Sequence, residues 1–167
     1  DNNFYAINYS DASLRFVVPT GDDVYTSAAF KGSGYDTEIY FGSDDGNVFG
    51  VDIDGNQIFH QIIGGGVVGS IAIADLDDDS SLDIIAVNNI GQVYAFDHNG
   101  MLLDLFPIDY QYPYSSAPMV IDYDFDGDLE IICGTGADLV MLDYKIPVSS
   151  NLDSWSLFNG GYDRKGF

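Results

Sequence analysis

Apolar residues in this chain fall in short β-branched and aromatic runs, cut at close intervals by Gly, Asp and Asn. Nowhere do they hold the 3.6-residue period of a helix face, so the pattern predicts strands joined by tight turns. In the middle of the chain four strands are expected, at Ser70–Ala74, Leu82–Val87, Gln92–Phe96 and Met101–Phe106. The intervening Asn88-Asn89-Ile90-Gly91 and Asp97-His98-Asn99-Gly100 are built from residues that tolerate the positive φ of hairpins.

This four-strand unit repeats. Glu38-Ile-Tyr-Phe-Gly, Asp83-Ile-Ile-Ala-Val and Glu130-Ile-Ile-Cys-Gly align, with their acidic anchors 45 and 47 residues apart. Such a period suits one four-stranded blade of a β-propeller. The fold class expected is therefore all-β, a partial propeller of about three and a half four-stranded blades. Residues 1–20 supply a half blade, 21–65, 66–110 and 111–150 a blade each, and 151–167 an aromatic tail. The half blade follows from phase: Asn3–Tyr9 matches the third strand of a unit and Leu14–Val18 the fourth. Its missing inner strands are expected from a parent chain or from self-association, the chain being read as a processed or excised piece. The Gly64-Gly65-Gly66 run, with no following helix and no Lys, reads as a connection between blades rather than a phosphate cradle.

Composition then narrows the chemistry. The 27 Asp and Glu face only 5 Lys and Arg, a net charge of −22 over 167 residues. That field repels phosphate backbones and anionic bilayers, which excludes nucleic acid as a partner. Membrane insertion is not expected either, because the longest uncharged apolar stretch, Ile62–Ala74, is short and broken by four glycines. The single cysteine, Cys133, lies in an apolar run and reads as a core residue.

The acids are concentrated in two loops, Asp75-Leu-Asp77-Asp78-Asp79-Ser80-Ser81-Leu-Asp83 and Asp122-Tyr-Asp124-Phe-Asp126-Gly127-Asp128-Leu-Glu130. Both place carboxylates at positions 1, 3, 5 and 9 between two expected strands. Alternate carboxylates in a tight loop converge, and their repulsion is costly without a cation. Ca²⁺ takes 6–8 hard oxygen ligands in forgiving geometry, whereas Mg²⁺ demands a strict octahedron and zinc prefers nitrogen and sulfur. Two Ca²⁺ sites are thus expected: Asp75, Asp77, Asp79 and Asp83 with the Ser81 carbonyl, and Asp122, Asp124, Asp126 and Glu130 with that of Asp128. The Ser80 loop should be the weaker, because a serine there replaces the turn glycine. A gapless alignment puts Phe30, Gly32 and Gly34 at the ligand positions of the first repeat, so that loop should be empty. Lys31 is expected to supply positive charge near Asp36 or Glu38.

Asp-x-Asp-x-Asp-Gly-x-x-Asp/Glu followed by an apolar strand and Gly resembles the FG-GAP repeat of integrin α-subunit propellers and of bacterial secreted proteins. Asp122–Gly134 carries the match best; Asp75–Val87 departs from it at Ser80. The strands Gly46–Asp52 and Gly91–Asp97 also resemble those of quinoprotein propellers, without their blade-docking Trp. The tail, Trp155-Ser-Leu-Phe158 and Arg164-Lys-Gly166, resembles a segment near the end of bacterial extracellular propellers. The resemblance implies a secreted or cell-surface, calcium-bearing propeller for adhesion or for binding a protein or carbohydrate ligand. No catalytic residue is assigned. His60 and His98 read as structural, and no nucleophile elbow or Cys/His arrangement is present. The alternative is a fragment of a polysaccharide-active enzyme, with Tyr110, Tyr112, Tyr114 and Tyr123 available to stack on sugars.

Overall fold

The computed structural model describes residues 1–145, which form thirteen strands and one 3₁₀ turn. The Trp155–Phe158 and Arg164–Gly166 segments lie outside the described residues. β1 (Asn3–Ile7) and β2 (Leu14–Pro19) make a two-stranded antiparallel sheet, the third and fourth strands of a blade. β3 (Ala29–Lys31), β4 (Glu38–Gly42), β5 (Asn47–Asp52) and β6 (Gln57–Ile62) follow as a four-stranded meander in chain order. β7 (Ala72–Ala74), β8 (Asp83–Val87), β9 (Gln92–Phe96) and β10 (Ile108–Asp109) form the next. β11 (Met119–Ile121), β12 (Leu129–Gly134) and β13 (Leu139–Tyr144) form a three-stranded sheet. Up-and-down blades of this kind, all antiparallel, are the units of a β-propeller, and among the described residues no helix is long and apolar enough to cross a membrane.

The sheets are stacked face to face, and each interface carries its own core. Between the first two sheets Phe4 stacks on Phe41 at 4.2 Å between ring centroids, beside Phe49 and Val51. Between the second and third, Tyr40, Val48, Phe59 and Val67 meet Ile71, Ile73, Ile84 and Phe96. Between the third and fourth, Ile85, Val87, Val93 and Ala95 meet Val120, Ile131, Cys133 and Tyr144. Because successive residues of a strand point to opposite faces, Ile84 serves one interface and Ile85 the next. This explains why β8 is apolar from Ile84 to Val87 instead of alternating: both of its faces are covered. Gly42 keeps one interface closed, since a Cβ there would sit 2.3 Å from a methyl carbon of Val67.

The expected strand Met101–Phe106 is corrected. Only Leu102 and Leu103 reach β9, through a bridge to Phe96 and an N–H donated to the Ala95 carbonyl. Leu105 then takes φ of 74° and Pro107 offers no N–H, so pairing resumes only at Ile108. The gapless alignment of the first repeat is corrected as well. Lys31 lies opposite Glu38 where Ala74 lies opposite Asp83 and Ile121 opposite Glu130. The first loop is therefore two residues shorter than the others, and Gly32, not Phe30, occupies the place of Asp75.

Candidate metal centres

The two acidic loops join the first and second strands of adjacent sheets, and so emerge at the same end of the molecule. Their backbones repeat each other. Asp78 and Ser80 have φ of 59° and 69°, and the equivalent Phe125 and Gly127 have 62° and 98°. Ser80 is thus left-handed where the second loop has glycine, as the sequence suggested, at a cost of roughly 1 kcal/mol. In both loops the position-9 carboxylate accepts the backbone N–H of position 2. Asp83 Oδ2 does so from Leu76 at 2.8 Å, and Glu130 Oε2 from Tyr123. This bond locks the second strand's first acid beneath the loop.

In the first loop one carboxylate oxygen each from Asp75, Asp77 and Asp83 lie within 4.8 Å of one another. Asp83 is only 1% exposed, and its Oδ1 is buried with no hydrogen-bond partner. Burial above all, then the charges of Asp77, Asp79 and Asp75, pushes its carboxyl up to about 7. Burial and Asp79 likewise raise Asp77. Asp79 stands outside this group, its Oδ1 accepting the Ser81 N–H at 2.7 Å.

In the second loop Asp122, Asp124 and Glu130 converge within the same limit, and so do Asp126, Asp128 and Glu130. Glu130, again 1% exposed, belongs to both groups, and its Oε1 and Asp122 Oδ1 are buried without partners. Burial holds Glu130 above its ordinary value. Asp128, expected to offer only its carbonyl, also turns its buried side chain into the loop. Lys145 reaches this loop from the end of β13, with Nζ 2.9 Å from Asp126, 3.3 Å from Asp128 and 2.7 Å from Asp143. The neighbouring Asp128 carboxyl and this ammonium hold Asp126 well below the usual carboxylate range. Sequence reading missed Lys145, although the hairpin register, Glu130 opposite Asp143 and Leu129 opposite Tyr144, carries it beside Asp128.

Every donor in these groups is a hard oxygen, and three buried carboxylate oxygens lack a partner inside them: Asp83 Oδ1, Asp122 Oδ1 and Glu130 Oε1. Buried polar atoms are rarely left so, and a hard cation would satisfy them. The first loop of the series differs. Its only position-9 acid, Glu38, is met by Lys31 Nζ at 3.2 Å and by the Tyr40 hydroxyl at 2.8 Å.

The other residues singled out in the sequence have structural roles. Cys133 is buried and its thiol is pushed up to about 12 by that burial, so it is not a nucleophile. His60 stacks on Phe49 and bonds Asn47 Oδ1 at 2.8 Å. Tyr114 is core, stacked on Tyr110, while Tyr112 and Tyr123 are exposed at opposite ends of the sheet. Tyr112, Tyr114 and the Thr135–Ala137 turn line a cavity of about 300 Å³ at the end opposite the acid loops.

Among solved structures, the computationally designed Ika4 protein superposes with a TM-score of 0.62 at 13% identity, covering 89% of this chain and 81% of that one. BamB from Moraxella catarrhalis gives 0.58 at 17% identity, over 84% of this chain and 40% of its own. Sqt1 from Saccharomyces cerevisiae gives 0.62 at 12%, over 87% and 40%. The chain therefore spans about two-fifths of these natural structures, and at such identities the likeness establishes the fold alone. No curated protein sequence matches. Residues 39–141, which run from β4 into β13 and contain both acidic loops, match the family described as the lambda-carrageenase beta-propeller domain, and the chain belongs to that family.

Proposed function

We propose that the chain is a non-catalytic module of a calcium-stabilised, extracellular β-propeller that binds a protein or carbohydrate ligand. The observation that carries the calcium reading is the pair of equivalent loops, each converging carboxylates on buried oxygens that nothing else satisfies. Asp75, Asp77 and Asp83 would hold one ion and Asp122, Asp124 and Glu130 the other, with Asp79, Ser81, Asp126 and Asp128 completing the shells as the FG-GAP resemblance implies. The ion supplies positive charge that lets these acids stay ionised while buried; the protein supplies rigid strand ends on either side. Calcium modules outside cells work with modest affinities, and solvent-open loops such as these fit that range. The net charge of −22 suits a protein bathed in divalent cations and opposes phosphate-rich partners.

A second reading, a portion of a polysaccharide-active enzyme, is favoured by the family match to a carrageenase propeller. The acids that converge are the ones this proposal assigns to metal. One experiment separates the two: the protein is screened on a glycan array and assayed for cleavage of acidic polysaccharides, with calcium and with EGTA. Calcium-dependent binding without cleavage supports the module; turnover of a polysaccharide by this chain would overturn its non-catalytic role.

A further inference from the structure

From the position of Lys145 we infer that its ammonium is a built-in competitor for the cation of the Asp122–Glu130 loop, making that loop the weaker of the two calcium sites. The inference rests on the calcium reading above. It reverses the order that Ser80 alone suggests.

The series of loops shows the device in two degrees. In the first, shortened loop the metal acids are gone, and Lys31 projects from the strand itself onto Glu38, the position-9 acid, at 3.2 Å. An ammonium has taken over the charge balance there. In the Asp122–Glu130 loop all the acids remain, yet Lys145 Nζ lies within 3.3 Å of both Asp126 and Asp128. It holds Asp126 and Asp128 and leaves Asp122, Asp124 and the unpartnered, deeply buried Oε1 of Glu130 for an ion. To recruit Asp126, an incoming ion must displace the lysine; even without displacement, it binds beside a like charge. In the Asp75–Asp83 loop the same register position is the neutral Asn99, since Ile84 lies opposite Phe96. Among the described residues no ammonium is built into that place.

Lys145 is exposed enough for solvent to screen it, so the penalty is moderate. A single positive charge about 5 Å from a divalent ion, in largely aqueous surroundings, weakens binding by about tenfold. The test uses calcium calorimetry on the chain carrying Asp77→Asn, which disables the Asp75–Asp83 site. Adding Lys145→Met, which keeps the stem, should tighten the remaining site by about tenfold. Lys145→Arg should leave it unchanged, and so should Lys31→Met, whose loop lacks the acids for an ion. Equal or weaker affinity in Lys145→Met would overturn the inference. Equal gains in the Met and Arg variants would also overturn it, by assigning the effect to packing. If neither the parent nor any variant binds calcium, the calcium reading falls and takes this inference with it; binding by the parent alone sinks only the inference.

Discussion

Replacing Asp83 by Asn should change the sign of its effect with the calcium concentration. Asp83 is 1% exposed, keeps one bond from Leu76 N–H, and has an Oδ1 with no partner. Burial and three neighbouring acids lift its carboxyl from 3.8 to about 7, so its ionised form is disfavoured in the ion-free fold by about 4 kcal/mol. Asparagine keeps an acceptor for Leu76 and removes the charge. In EGTA at pH 8, Asp83→Asn should therefore raise stability, by about 2 kcal/mol once solvent relaxation around the loop is allowed for. In excess calcium the same variant loses a charged ligand and should melt below the parent. The pH dependence follows from the same sign. The folded carboxyl lies above its unfolded value, so the ion-free fold keeps this group's contribution below about pH 4 and loses it as pH rises through about 7. The calcium-induced gain should grow across that window, because the ion favours the ionised form. Urea titrations of both proteins in EGTA and in calcium, at pH 5 and pH 8, measure all four quantities. Destabilisation by Asp83→Asn under every condition would refute the reasoning, since it would mean that the carboxylate is satisfied without a cation.

Three further outcomes are expected. Calorimetry on the parent should count two ions, each adding about 2.7 kcal/mol at a hundredfold excess over its Kd, and a melting temperature unmoved by EGTA would contradict this. Gly127→Ala, whose Cβ would meet nothing within 4 Å, should cost about 1–2 kcal/mol through its φ of 98° alone, whereas Ser80→Gly should stabilise slightly; chemical denaturation reads both. Gly42→Ala should cost about 1–3 kcal/mol by forcing Val67 off the neighbouring sheet, and a melting curve matching the parent would show that this interface is not close-packed.

The strands were legible because inner strands such as β8 are buried on both faces, which leaves unbroken apolar runs such as Ile84–Val87 between turn residues. The phase of the first two strands, whose residues are exposed or half-buried, was legible instead from their match to the third and fourth strands of the repeat. The acid loops stood out because their spacing repeats, and the structure brings Asp75, Asp77 and Asp83, and Asp122, Asp124 and Glu130, together. Three things escaped. The break at Leu105 depends on a positive φ in a residue that rarely adopts one. The shortened first loop was hidden because its Gly32, Ser33 and Gly34 carry no acid to align. Lys145 lies 15 residues after Glu130, and only the β12–β13 register brings it back to the loop.

Because each apolar interface involves only two neighbouring sheets, cooperativity here passes from blade to blade like a row of coupled springs. The two central sheets each share two interfaces, so their amides should exchange with solvent last. Tightening one acidic loop stiffens its own blade and, through Ile85 and Ile131, the next. On the calcium proposal, losing the ion would loosen the molecule outward in steps, and partial opening, not wholesale collapse, is the response expected of this architecture.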